Sequence, residues 1–227
     1  MKEYRKVSWR DIPLYANVSD KDWFDWKWQC RNAIRDADTL SKVLNLGADE
    51  RHNVDQTLKT FRMAITPYYA AVIDRTYAQC SVRMQAVPSI EELHDSATDM
   101  TDPLHEDADS PTPGLTHRYP DRVLFLVTHM CAMYCRHCTR RRLVGSQDDH
   151  LPRAQIDAGI QYIQAHPEVR DVLLSGGDPL VMDDEHLEYV LKRLRAIDHV
   201  EIIRIGTRTP VVLPMRITDS LLTMLRK

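Results

Sequence analysis

Three cysteines fall within eight residues of the stretch THMCAMYCRHCTRRR: Cys131, Cys135 and Cys138, with the spacing C-x3-C-x2-C. Thiolates are soft ligands that select iron–sulfur clusters, zinc or copper. Three of them on one short loop can ligate three irons of a cubane and leave the fourth iron without a protein ligand, the open position that a reactive cluster needs. The competing chemistry is a zinc site of three cysteines and one histidine, with His129 or His137 as the fourth ligand. Structural zinc sites usually carry paired C-x2-C knuckles, and no second knuckle occurs in this chain. Cys30 and Cys80 match no ligand spacing.

Two further groups of residues could do chemistry. Glycine is scarce, seven in 227 residues, yet two are adjacent in LLSGGDPL: Gly176 and Gly177, after Ser175 and before Asp178. A glycine pair suits a place where backbone must come close to something. The simpler alternative is an ordinary strand-to-helix turn. Arginines gather on both sides of the first apolar strand: Arg118 and Arg122 around Tyr119, then Arg140, Arg141 and Arg142 after the last cysteine. Guanidinium forks match phosphate and carboxylate geometry. Equally, the first group fits a surface charge cluster and the second a basic patch. Net charge of −3 and the lack of interleaved aromatics argue against nucleic-acid binding.

The elements that must position these residues change character along the chain. Residues 1–75 carry helical spacing, with Trp23, Trp26 and Trp28 ahead of Ala33 and Ile34, and Ser19-Asp20 as a start signal. A second helical pattern covers residues 54–73, interrupted near Pro67. The tryptophans read as packing rather than as a ligand box. Residues 96–121 are rich in proline and aspartate and predict an extended connecting segment, neither helix nor strand. Their acids lack the spacing and closing glutamate of a calcium loop.

Beyond residue 121 strands and helices alternate. RVLFLVT, residues 122–128, is an apolar run that predicts a strand buried on both faces. A helix is expected over 152–166 with Ile156, Ile160 and Ile163 on one stripe, then a strand over 171–175. A second helix is expected over 183–197 with Leu187, Val190, Leu191 and Leu194 inward, then a strand over 200–206 and a helix from 217. This order predicts a parallel sheet or barrel, with the cysteine loop at the C-terminal end of its first strand, where such folds place active sites. Three βα units do not close an eight-fold barrel, so the expectation is the N-terminal portion of a longer protein. The expected organisation is a helical region and linker over 1–110 and the N-terminal part of a barrel over 111–227.

Composition, with 43% hydrophobic and 28% charged residues, is that of a soluble globular protein. No apolar run approaches the roughly 18 residues of a membrane span, and the N-terminus has no apolar core of a secretory signal, which predicts a cytoplasmic protein without membrane partners.

C-x3-C-x2-C after the first strand of a βα barrel is the signature of the radical S-adenosylmethionine (SAM) superfamily, which this chain resembles. YCRHCTRRR, HRYPDRV, DVLLSGGDPL and IRIGTRTPVVLP, with MAITPYY and DPLHEDADSP upstream, resemble the lysine 2,3-aminomutase family within it, over nearly the whole chain. The resemblance implies an α/β fold, a partial (β/α) radical SAM barrel preceded by a helical N-terminal region. It implies an isomerase that moves the amino group of L-lysine to give L-β-lysine, using a 4Fe–4S cluster, SAM and pyridoxal 5′-phosphate (PLP). The same chemistry on another amino acid, such as glutamate, is the nearest alternative; a non-catalytic iron–sulfur or zinc protein is a more distant one.

Residue by residue, the resemblance assigns the cluster to Cys131, Cys135 and Cys138. It assigns SAM to Ser175, Gly176, Gly177 and Asp178, the last in place of the family's usual Glu, and to His137, which could stack on the adenine or be a simple surface histidine. It assigns the PLP phosphate to Arg118, Tyr119 and Arg122, and the substrate carboxylate to Arg140. No catalytic residue is assigned within the chain, because the family's PLP lysine, the acidic pair that recognises the distal amino group and the cysteines of a structural zinc site are expected beyond residue 227. The implied partners are the amino-acid substrate, a reducing donor such as flavodoxin or ferredoxin, and further copies of the chain in a homo-oligomer.

Overall fold

The computed structural model of the protein describes residues 8–94, 97–145 and 149–226. The chain divides into two compact units. The first holds Met1–Asp99, Ala132–Cys138 and Val211–Met215. It is built from short helices: α1 (Asp20–Trp23), α2 (Trp26–Arg31), α3 (Ala37–Val43), α4 (Ala48–Leu58), α5 (Pro67–Val72) and α6 (Ser81–Met84). The helical character expected from the sequence is present, but broken up. Side-chain caps restart the helix repeatedly: Ser19, Asp25, Asp36 and Thr66 each accept a backbone N–H of the following turn, and Pro67 occupies the first position of α5. Trp23 is buried and stacks on Trp9 at 4.3 Å, so it is core, while Trp26 and Trp28 are half-buried. Gln29, wholly buried, donates to the Trp23 carbonyl and accepts from the Tyr68 N–H, tying α2 to α5.

The second unit holds Met100–Cys131, Thr139–Pro210 and Arg216–Lys227. Its centre is a four-stranded sheet in the order β1 (Leu115–Tyr119), β2 (Arg122–Thr128), β3 (Asp171–Gly176), β4 (Ile202–Ile205). β2, β3 and β4 run parallel, and β1 pairs antiparallel to β2. Helix α7 (Arg153–Ala165) joins β2 to β3, and α8 (Asp184–Arg195) joins β3 to β4; α9 (Thr209–Val212) and α10 (Asp219–Leu225) follow. The helix stripes expected from the sequence are buried, except that Leu191 is only partly so: Ile156, Ile160 and Ile163 of α7, and Leu187, Val190 and Leu194 of α8, pack on Val123, Phe125, Val172 and Leu174.

β1 departs from the expected linker. Leu115 is 1% exposed, and Pro120-Asp121 turn the chain back into β2. The strand is five residues long and flanked by prolines, so the surrounding composition concealed it. The opposite face of the sheet carries one cross-strand row, Thr116–Leu124–Leu173–Arg204, through all four strands.

One buried cation holds the end of this unit together. Arg216, fully buried, donates to the carbonyls of Leu180 and Met182 and to the Asp184 carboxylate at 2.7–3.0 Å. Arg216→Leu leaves the buried Leu180 and Met182 carbonyls without a donor, while the Asp184 carboxylate, 34% exposed, can turn to water, so unfolding free energy is expected to fall by about 1–3 kcal/mol. Urea denaturation followed by circular dichroism measures it, and an unchanged midpoint would show that the site rehydrates.

Candidate functional site

The cysteine loop leaves β2 at Thr128. This residue is fully buried; its hydroxyl accepts from the Met130 N–H at 3.1 Å and hydrogen-bonds His150 Nδ1 at 2.9 Å. Burial and the neighbouring His186 hold the His150 imidazole below the usual histidine range, which favours its neutral form at pH 7. Two residues further, the chain lies against the segment that follows β3. The Gly177 N–H donates to the Thr128 carbonyl at 2.6 Å, and the Asp178 N–H to the Met130 carbonyl at 2.7 Å. The glycine pair exists for this approach. A Cβ on Gly176, whose φ is +124°, would lie 2.2 Å from the Thr128 oxygen, and one on Gly177 would lie 2.0 Å from the Met130 oxygen.

The Asp178 carboxylate is 5% exposed and points into the protein. It accepts from the Leu180 N–H, the Thr207 hydroxyl and the N–H groups of Arg208 and Thr209, at 2.6–3.0 Å. It therefore ties the turn after β3 to the loop after β4. What this turn offers a ligand is its backbone, and Ser175, half-buried, precedes it.

All five cysteines are thiols, and Cys131, Cys135 and Cys138 are half-buried. In the helical unit, the Tyr134 N–H donates to the Ala64 carbonyl, the Arg136 N–H to the Gln85 carbonyl, and the Cys138 N–H to the Cys135 carbonyl. His137 is exposed. Among the described residues no three His, Cys, Asp or Glu side chains converge on a single ion. A cubane distributes its three thiolates over three different irons, so the donor set of three thiols fits it without such convergence.

In the sheet unit, Arg118, Tyr119, Arg122 and Arg140 line one cavity of about 290 Å³ together with Glu106 and Arg204. That volume lies near the lower end of the roughly 300–1,000 Å³ of small-molecule sites. Each of its four arginines is held from one side by a carboxylate. Arg118 Nε donates to Asp109 at 2.7 Å, with Nη2 on the Leu104 carbonyl. Arg122 Nε and Nη2 donate to Asp121 at 2.8 and 3.0 Å, and its guanidinium lies 5.9 Å from the Tyr119 ring centre. Arg140 Nε and Nη2 clasp Glu106 at 2.6–3.1 Å. Arg204 Nε donates to Asp171 at 2.9 Å. Among the described residues the Nη1 groups of all four take no hydrogen bond. Hydrogen bonds to Asp109 and Asp121 raise the Arg118 and Arg122 pKa values above the ordinary range, and Arg122 lowers that of Asp121. The arrangement is a fixed, cationic cavity that fits an anionic ligand such as a phosphate or carboxylate.

Sequence reasoning singled out Arg118, Tyr119, Arg122 and Arg140 but not their companions. Arg204 had a signal: it is the one charged residue in the strand IIRI. Glu106 had none, since it sits among the acids of the apparent linker. That segment is a strap, fastened by Arg118 to Asp109, Arg140 to Glu106, and Arg142 to Asp102 and Asp107. His105, at φ 51°, turns Glu106 inward to 7% exposure.

Residues 125–227, which hold the three-thiol loop at the end of one strand and the glycine turn at the end of the next, match the Radical SAM superfamily. The particular likeness is closer. The chain is 58% identical over 214 residues to L-lysine 2,3-aminomutase of Fusobacterium nucleatum, covering 94% of this chain and 50% of that protein. It is 57% identical over 218 residues to L-lysine 2,3-aminomutase of Clostridium subterminale, covering 96% and 52%. With glutamate 2,3-aminomutase of Clostridioides difficile it shares 44% over 211 residues, covering 93% and 50%. The chain thus spans about half the length of the curated relatives it matches.

Gly177→Ala tests the backbone contact. The added Cβ meets backbone rather than a flexible side chain, so the two strand ends must separate, at a cost of about 1–3 kcal/mol. The expected result is a lower melting temperature and faster amide exchange at Gly177 and Asp178. Unchanged exchange there would show that the contact is slack.

Proposed function

We propose that this chain is part of an L-lysine 2,3-aminomutase, which converts L-lysine to L-β-lysine. The observation that carries the reading is the 57–58% identity to L-lysine 2,3-aminomutases over nearly the whole chain. The cationic cavity supports it, because the reaction needs an anionic cofactor and a carboxylate substrate held together.

When bound, the 4Fe–4S cluster and SAM supply a carbon radical, and PLP supplies delocalisation for the migrating amino group. The chain's residues supply placement. Cys131, Cys135 and Cys138 hold three irons. The backbone of Ser175, Gly176, Gly177 and Asp178, with His137, seats SAM, and the Asp178 carboxylate fixes that turn from behind. Arg118, Tyr119 and Arg122 take the PLP phosphate, and Arg140 takes the substrate carboxylate. Because carboxylates already orient these guanidiniums, little side-chain ordering is left to oppose ligand binding. Residues 1–110 form a helical region and linker, and 111–227 part of the barrel domain. The partners in this reading are L-lysine, a reducing donor such as flavodoxin or ferredoxin, and other copies of the chain, in the cytoplasm. The likeness to glutamate 2,3-aminomutase keeps one second reading, the same reaction on glutamate.

Anaerobic reconstitution with iron and sulfide is expected to give one 4Fe–4S cluster per chain, and Cys135→Ala to lose it. Stoichiometric zinc without iron uptake would point to a zinc protein instead. In the intact protein, turnover of lysine against glutamate decides the substrate. Arg140→Lys keeps the charge and loses the fork. kcat/KM for the amino acid should fall by about ten- to a hundredfold, with cluster content and SAM binding preserved. Arg122→Lys should weaken PLP retention instead, with partial rescue by added PLP. If the two variants exchange phenotypes, the two assignments are reversed.

A further inference from the structure

Arg136 stands between two of the cysteines, next to Cys135, and its guanidinium is engaged at every nitrogen. Nε and Nη2 donate to the Glu92 carboxylate at 3.0 and 2.6 Å, and Nη1 donates to the Arg62 carbonyl at 2.8 Å. The pair is well buried, with side chains 10% and 13% exposed. Glu92 is itself fixed. It ends a capping box, in which its carboxylate accepts from the Ser89 N–H at 3.0 Å while the Ser89 side chain caps the same turn. Two backbone hydrogen bonds, from Tyr134 to Ala64 and from Arg136 to Gln85, already hold this part of the loop against the helical unit. What the ion pair adds is rigidity at Cys135 and a fixed pair of opposite charges beside it. Hydrogen bonding and local charge around cysteine ligands control both the retention and the reduction potential of an iron–sulfur cluster.

We propose that Glu92 is a positioning residue for the iron–sulfur loop, acting through Arg136 to hold Cys135 in place and to balance the cation beside the cluster. The inference rests on the cluster reading above. It gives the helical unit a part in the chemistry: three separate stretches of it, around Arg62–Ala64, Gln85 and Glu92, grip the cysteine loop.

The test uses the intact protein, reconstituted anaerobically, with three readouts: iron release to a chelator, a potentiometric titration followed by EPR, and the melting temperature. Glu92→Gln leaves the Arg136 cation unbalanced, which favours the more negative reduced cluster and raises the midpoint potential. Arg136→Met leaves the Glu92 anion and lowers it. The double variant returns the potential near the wild-type value. In all three, iron release should be about tenfold faster or more. The pair of buried Arg83 with half-exposed Glu50 in the same unit is the control, and Glu50→Gln should change stability without moving the potential. Shifts of the same sign in the two single variants, no shift, or a shift in the control would overturn the proposal. If a single variant fails to fold, the double variant decides, since it strands no buried charge, and wild-type iron release there overturns the proposal. A wild-type protein that takes up no cluster fails at the cluster reading instead, and this inference falls with it.

Discussion

The candidate chemistry depends on a backbone contact two hydrogen bonds long. Thr128 and Met130, on the way to the first cysteine, accept the N–H groups of Gly177 and Asp178, which follow the neighbouring strand. Parallel pairing between β2 and β3 ends at Thr128–Gly176, and these two bonds carry the alignment past the sheet into the loops. Without that continuation, the cysteine loop and the glycine turn would leave the sheet independently. With it, the entrance to the cysteine loop and the half-buried glycine turn are held in one register. A side chain on Gly176 or Gly177 would force the two segments apart, because its first carbon would fall 2.0–2.2 Å from a carbonyl oxygen.

A second constraint is charge. Four arginines around one cavity would repel one another and cost much to desolvate if they stood alone. Asp109, Asp121, Glu106 and Asp171 each neutralise one of them, on the edge that carries Nε. Each positive charge thereby has a neighbouring carboxylate, while the lining itself, four arginines and Glu106, stays cationic and still presents guanidinium N–H groups. Two of the four carboxylates, Glu106 and Asp109, come from the strap before β1, so a segment without regular structure supplies half of the balance.

The parts legible in the sequence were those governed by local pattern. The apolar run of β2 and the stripes of α7 and α8 appear within a residue or two of where periodicity places them, because burial on one face leaves a regular trace. β1 was not legible. Its five residues lie between prolines, and only pairing with β2 makes them a strand. Among the site residues, the cysteines and the glycine pair announced themselves by spacing. Glu106 could not, because its inward turn depends on the conformation of His105 and on the distant Arg140. Asp178 shows the limit from the other side. Its position was legible beside the glycines, but that its carboxylate serves the chain's own loops follows only from the packing of Thr207, Arg208 and Thr209 around it.

Arg204 is subject to both constraints, strand register and charge. The row Thr116–Leu124–Leu173–Arg204 runs across the sheet on the face opposite the α7 and α8 core. Leucines at its centre would suit an apolar interior, and a fourth apolar residue would have continued it. An arginine there, joined to a nearly buried Asp171 at the start of β3, instead extends the cationic wall from the β1–β2 hairpin to the last strand of the sheet. The cavity side of the sheet is therefore graded from apolar centre to charged rim, and the grading is set by strand register: a slip of one residue in β4 would turn Arg204 toward the helices and an isoleucine into the cavity.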